Sequence, residues 1–188
     1  MAKAQVEQDT VNQALDLAKN AYLALTRAAL GLDLVLFVVA ARPPHKTPVA
    51  PAEARYEMVL LATAEEKGFL ASRLELDRPG PSYTVDTLRE ARRLFPEDEL
   101  FFITGADAYR DVLTWKEGHR LHELATLVAV ARPGYPLEGM PVPVVPLLVP
   151  EVGISSTEIR RRIREGESIR FWVPRPVEVY LEKHGFYR

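Results

Sequence analysis

Leu34-Val35-Leu36-Phe37-Val38-Val39-Ala40 is the stretch that decides the fold. It is continuously apolar and rich in β-branched residues, the signature of a strand buried on both faces of a parallel sheet. Outward from it, Glu99–Thr104 (ELFFIT) and Thr126–Ala131 (TLVAVA) repeat the pattern. Phe69–Leu76 reads as a further strand, and Val144–Val149 as a weaker one interrupted by Pro146. Helical patterns separate them at Ala52–Lys67, at Ser82–Phe95 and in pieces from Asp107 to Leu124, and two more close the chain at Ser155–Glu165 and Arg175–His184. Strands alternating with helices mean βαβ units. The expected fold is therefore α/β, a Rossmann-like, mostly parallel sheet with helices on both faces, in one domain of 188 residues.

Before residue 34 the chain has a different character. Val11, Leu15, Ala18, Tyr22, Leu25, Ala29 and Leu32 recur at helical spacing, which predicts a helix over residues 10–31. Thr10 with Gln13 fits a capping box, and Gly31 can end the helix in a left-handed turn. The chain's five asparagines and glutamines (Gln5, Gln8, Asn12, Gln13, Asn20) all fall in the first 20 residues. Random scatter would do this about once in 10⁵. Arginine shows the opposite bias, starting only at Arg27. Depletion of thermolabile amides, with abundant charge and proline-rich loops, marks the body as heat-adapted. The first 20 to 28 residues look foreign to it.

Composition narrows the function. The formal net charge of −2 argues against a nucleic-acid binder. With no cysteine, there is no disulfide framework, thiolate metal site or thiol nucleophile. No apolar run approaches the roughly 18 residues of a membrane span, and no signal-peptide pattern opens the chain, so a cytoplasmic location is expected. His119 and His122 form an H-x-x-H without a metalloprotease's carboxylate, and there is no Walker loop, G-x-S-x-G or G-x-G-x-x-G.

Ligands of open parallel sheets sit beyond the carboxyl ends of the strands. After the first recognised strand comes Arg42-Pro43-Pro44-His45-Lys46, a rigid loop offering two cationic donors to phosphate, or simply a solvated loop. After the second comes Ser82-Tyr83-Thr84, where Ser82 or Thr84 can cap a helix whose free N–H groups suit an anion. After the third come Gly105, Asp107 and Trp115, a ribose acceptor and a stacking face, or an N-cap and a core ring. Arg132 follows the fourth. Finally, in Gly153-Ile154-Ser155-Ser156-Thr157-Glu158-Ile159-Arg160, hydroxyls and a guanidinium converge at a helix start, and Ser155 with Glu158 fits a capping box.

In order along the chain, PPHK, SYTVDTL, TGADAY with Trp115, VARPGY and GISSTEIR resemble the bacterial nicotinate mononucleotide adenylyltransferases, from about Leu30 to Arg188. That resemblance implies a reaction of ATP with nicotinate mononucleotide giving deamido-NAD and pyrophosphate, with Mg²⁺ carried by ATP. It implies His45, Lys46, Ser155, Ser156, Thr157 and Arg160 for the ATP phosphates. Ser82, Tyr83, Thr84, Asp107, Trp115 and Arg132 fall on the mononucleotide side.

Members of that family open with a strand followed by G-G-S/T-F-D-P-x-H-x-G-H, whose histidines stabilise charge at the reacting phosphate. Residues 1–30 here hold no histidine, glycine, proline or phenylalanine. The expectation is that residues 1–28 replace the catalytic strand, loop and helix, and that a helix stands where the first, central strand belongs. Met1–Thr10 is the only free candidate strand, and its composition is poor for one. An inactive or severely impaired nucleotide-binding enzyme follows. The alternatives are an interaction module docking through residues 10–31, on a partner or a second copy, and an active enzyme using Lys3 or Lys19 as a substitute cation.

Overall fold

The computed structural model describes residues 3–7, 17–45, 47–131, 137–148 and 154–188, with backbone alone for 3–7 and 17–23. Its elements run β1 (Lys3–Glu7), α1 (Leu17–Leu30), β2 (Leu34–Val38), α2 (Ala52–Thr63), β3 (Phe69–Ser72), α3 (Thr84–Leu94) and β4 (Glu99–Gly105). They continue with α4 (Ala106–Arg110), α5 (Leu121–Leu124), β5 (Thr126–Val130), β6 (Val145–Leu147), α6 (Ser156–Arg164) and α7 (Arg175–His184). Two short 3₁₀ turns lie between α4 and α5.

All pairings in the sheet are parallel, in the order β3-β2-β1-β4-β5-β6. The α/β class is as expected; the vacant central position is not. Lys3–Glu7 occupies it, with Ala4 to Glu7 beside Leu34 to Phe37 and Lys3 to Val6 beside Glu99 to Phe102. The physical reason is tertiary. The strands on either side each present a row of buried N–H and C=O groups, and leaving them unpaired costs about 1–3 kcal/mol per group. That outweighs the weak strand propensity of a segment with a single β-branched residue, Val6.

α1 is described only from Leu17, so the expected helix start and the Thr10–Gln13 cap lie outside the described residues. Its end is as predicted. Gly31 is at φ 62°, with Gly31 N donating to Ala28 O and Leu32 N donating to Arg27 O, both bonds of a Schellman motif. Arg27 then ties this helix to the body, donating from Nε to Leu32 O at 3.0 Å and from Nη1 to Lys67 O at 2.8 Å. Gly68 leaves room for it: a Cβ there would come within 2.6 Å of the guanidinium.

Alternation along the strands divides the core between the two faces. Val35, Phe37, Phe101, Ile103, Val128 and Val130 meet α2, α6 and α7 on one side. Leu36, Val38, Leu100, Phe102, Leu127 and Ala129 meet α3 and α5 on the other. β3 stops at Ser72, short of the expected Leu76, and a turn follows it. Pro146 is tolerated in β6 because that strand is a sheet edge.

Proline at Val6 would remove a ladder donor from the central strand. Val6→Pro is expected to lower the unfolding free energy by at least about 3 kcal/mol in a urea titration; an unchanged midpoint would contradict the strand assignment.

Candidate functional site

Where the strand order reverses, the chain opens a cavity of about 680 Å³. One wall comes from beyond β2 (Ala40, Pro43, Pro44, His45), a second from the start of α3 (Ser82, Tyr83, Thr84), and the third from beyond β4 (Thr104, Asp107, Arg110, Trp115, Lys116). Of the residues the sequence assigned to the mononucleotide, Ser82, Tyr83, Thr84, Asp107 and Trp115 therefore meet in one place. Arg132 lies outside the described residues, as does Lys46.

Ser82 is buried and structural as well as cavity-lining. Its N–H donates to Arg42 O at 2.9 Å, and its Oγ accepts from Arg42 N at 3.0 Å, pinning the loop after β2 to the start of α3. It does not cap α3, and neither does Thr84: the N-cap is Tyr83, with no side-chain cap bond. The first turn of α3 therefore presents its early backbone N–H groups to the cavity side, a positive helix end suited to a carboxylate or phosphate. Asp107 is likewise no N-cap; Gly105 is, and Asp107 stands second in α4. Phe102 is buried beneath, with Tyr109 and Trp115 edge-on to it at centroid distances of 6.1 and 6.5 Å. Half-buried Trp115 thus joins the core and lines the cavity at once.

Two anchors of this cavity carry no signal in sequence spacing. Glu117, at φ 51°, is gripped by Arg89 of α3 through bonds of 2.9 and 2.7 Å, which holds the Trp115–Lys116 turn against that helix. The Arg89 hydrogen bonds keep the Glu117 carboxyl down at about 2. Lys116 lies 4.8 Å over the Tyr83 ring, with its Nζ 2.8 Å from Asp86. The second anchor is Arg55, 2% exposed, donating to Ala50 O, Ala40 O and Ala41 O at 3.1, 2.6 and 3.3 Å. It closes the base of the loop that carries His45. Burial pushes its pKa down, while Tyr187 and Glu75 act the other way.

His45 lines the same cavity, whereas Ser155, Ser156, Thr157 and Arg160 lie at the start of α6, outside its lining. Ser155 Oγ accepts from Glu158 N at 3.2 Å, the first half of the expected capping box. The second half is absent because the Glu158 carboxylate pairs with Arg161 and Arg162 at 2.6 and 3.1 Å. Arg161 also contacts Glu165 and Glu167, so the basic run of α6 forms a surface ion-pair network. Arg160 donates to Thr157 Oγ1 at 3.4 Å. Among the described residues no group of three or more His, Cys, Asp or Glu side chains could hold a metal, and no helix is long and apolar enough to cross a membrane.

The cytidylyltransferase-like family matches residues 20–162, from within α1 to within α6. Two proteins of Thermus thermophilus are 84% and 83% identical over 159 residues, covering 85% of this chain and 86% of theirs, and both bear the name probable nicotinate-nucleotide adenylyltransferase. The chain belongs to the nicotinate-nucleotide adenylyltransferase family. A member from Leifsonia xyli is 48% identical over 160 residues, 84% of this chain and 80% of its own. The solved Plasmodium falciparum nicotinic acid mononucleotide adenylyltransferase complexed with NaAD shares the fold, with a TM-score of 0.80 at 16% identity, covering 100% of this chain and 98% of that one. The heat-adapted composition agrees with the Thermus members. The family match starts earlier than the boundary near residue 30 that the motifs suggest, and residues 1–19 lie outside it.

Arg55→Met, which keeps an unbranched stem but leaves three carbonyls unpaired, is expected to destabilise the fold by about 2–4 kcal/mol in chemical denaturation; a loss under 1 kcal/mol would contradict the anchoring role. Because the folded state favours ionised Glu117, its contribution to stability is present above the unfolded carboxyl pKa and fades as pH falls towards about 2. An NMR titration should place that carboxyl near 2, and a midpoint of 4 or above would mean that the Arg89 grip does not form in solution.

Proposed function

We propose that this chain binds the substrates of a nicotinate-nucleotide adenylyltransferase but carries out the transfer step poorly. The observation that supports binding is the convergence of Ser82, Tyr83, Thr84, Asp107 and Trp115, from two separate chain segments, on one cavity at the switch point. Nicotinate mononucleotide fits that lining in chemical terms. Trp115 offers a face to the ring, Asp107 an acceptor for ribose hydroxyls, and the start of α3 backbone donors for an anionic group. The triphosphate of ATP falls to the start of α6, with Ser155, Ser156, Thr157 and Arg160, and to the His45–Lys46 loop.

In the reaction, a phosphate oxygen of the mononucleotide attacks the α-phosphorus of ATP. A new P–O–P bond forms, the bond to the β-phosphate breaks, and pyrophosphate leaves. Such transfers depend on positioning and on cations aimed at the developing charge. Mg²⁺ would supply charge neutralisation while bound to the ATP oxygens, which suits a site whose described residues include no metal-ligating cluster. The protein's own cations are what this chain lacks. Its first histidine is His45, so none follows β1 at the switch point. Removing one preorganised donor typically costs 10²–10³ in rate. Lys19, in the first turn of α1, is the nearest basic residue in sequence after β1.

Trp115 fluorescence during a nicotinate mononucleotide titration and pyrophosphate release with ATP test the two halves separately. The expected outcome is saturable quenching with turnover below about 0.01 s⁻¹, some 10³-fold under a common enzyme rate. Ordinary turnover, abolished by Lys19→Ala, would instead support a substitute cation; absence of binding would overturn the substrate reading.

A second reading rests on α1. Leu25, on its predicted apolar stripe, is 50% exposed and Ala29 is exposed, while Thr26 faces the body. That turns part of the stripe to solvent and favours association with a second copy. Size-exclusion chromatography should then show a dimer that Leu25→Glu dissociates; a monomer at all concentrations removes this reading.

A further inference from the structure

Tyr187, one residue from the end of the chain, is at odds with its surroundings. It is 7% exposed, in the core cluster with Ile159 and Val177, yet its hydroxyl has no hydrogen-bond partner. Its backbone sits at φ 68°, in the left-handed region that a bulky aromatic residue rarely adopts. Both features work against stability, and such strain concentrates where a segment serves a function.

Two guanidinium groups act on this hydroxyl. Burial raises its pKa, while the positive charges of Arg160 and Arg55 pull it down. Arg55 underlies the loop carrying His45, and Arg160 stands in the second turn of α6. The phenol therefore lies between the two segments assigned to the triphosphate. Arg160 meanwhile donates to Thr157 over a long 3.4 Å. An anion at the start of α6 would draw the guanidinium away from that hydroxyl and leave its direction to be set by another acceptor.

We propose that Tyr187 is a positioning residue for Arg160, its hydroxyl oxygen accepting from the guanidinium when the triphosphate of ATP occupies the start of α6. The role rests on the phosphate-side reading above. An oxygen acceptor behind the guanidinium aims the remaining N–H donors at the phosphate without itself touching ligand. It also gives the last residues of the chain a reason to return to the core beside Ile159.

Calorimetric titration of ATP into four proteins tests this: the unmodified chain, Tyr187→Phe, Arg160→Ala and the double variant. Loss of one neutral acceptor should weaken ATP about fivefold, and loss of the guanidinium about 30-fold. The double variant should bind within twofold of Arg160→Ala, because the hydroxyl acts only through that side chain. Tyr187→Phe should melt at or above the unmodified chain, since the ring stays and an unpaired buried hydroxyl goes. Unchanged ATP affinity in Tyr187→Phe, losses that simply add in the double variant, or a lowered melting temperature would each overturn the role of Tyr187 alone. Failure of the unmodified chain to bind ATP, or an Arg160→Ala variant that binds equally well, would overturn the phosphate-side reading and this role with it.

Discussion

The pairing of β1 between β2 and β4 is the constraint on which the rest of the molecule depends. Parallel strands lie roughly 4.8 Å apart, so one intervening strand holds its neighbours about 10 Å from each other. The cavity takes one wall from beyond β2 and another from beyond β4. Its width is therefore set by a strand that contributes none of its lining. Without β1, two buried strand edges would lack partners and the walls would lose their spacing. Five residues thus perform a structural task for which their side chains are poorly suited, because the demand comes from backbone groups on either side.

Support for the cavity and the residues that would act in catalysis are separable in this fold. Arg55 under the β2 loop, the mutual Arg42–Ser82 bonds and the Arg89 grip on Glu117 keep the walls in place using side chains of the body. Arg27 and the Schellman turn at Gly31 fasten the end of α1 to the same body. A frame held in this way can keep a nucleotide-shaped cavity while the segment after β1 carries no histidine. Family membership and full transfer activity are accordingly different claims about the chain, and the proposed function separates them.

Much of the fold was legible in sequence because buried parallel strands are written as apolar runs. Leu34–Val38, Glu99–Gly105 and Thr126–Val130 stand out with no reference to their neighbours. Lys3–Glu7 does not, since its identity as a strand resides in the edges it joins. The site was legible as motifs at strand ends: Ser82, Tyr83, Thr84, Asp107 and Trp115 were named from position and do share a cavity. Their local roles were less so. Tyr83 and Gly105, not Ser82 or Asp107, cap the helices, because Ser82 is engaged with Arg42 from 40 residues away. Arg55 and Glu117 gave no signal, since each works through partners that only the folded chain brings near. The amide-rich N-terminal segment, foreign by composition, proves to contain the strand at the centre of the sheet.

Native-state hydrogen exchange of the β1 amides tests this account most directly. If β1 is the central strand, the backbone N–H groups of Ala4, Gln5 and Val6 are protected to the same degree as those of Leu36 in β2 and Phe102 in β4, and open only with global unfolding. Exchange of the β1 amides at the rate of an unstructured peptide, with β2 and β4 still protected, would contradict it.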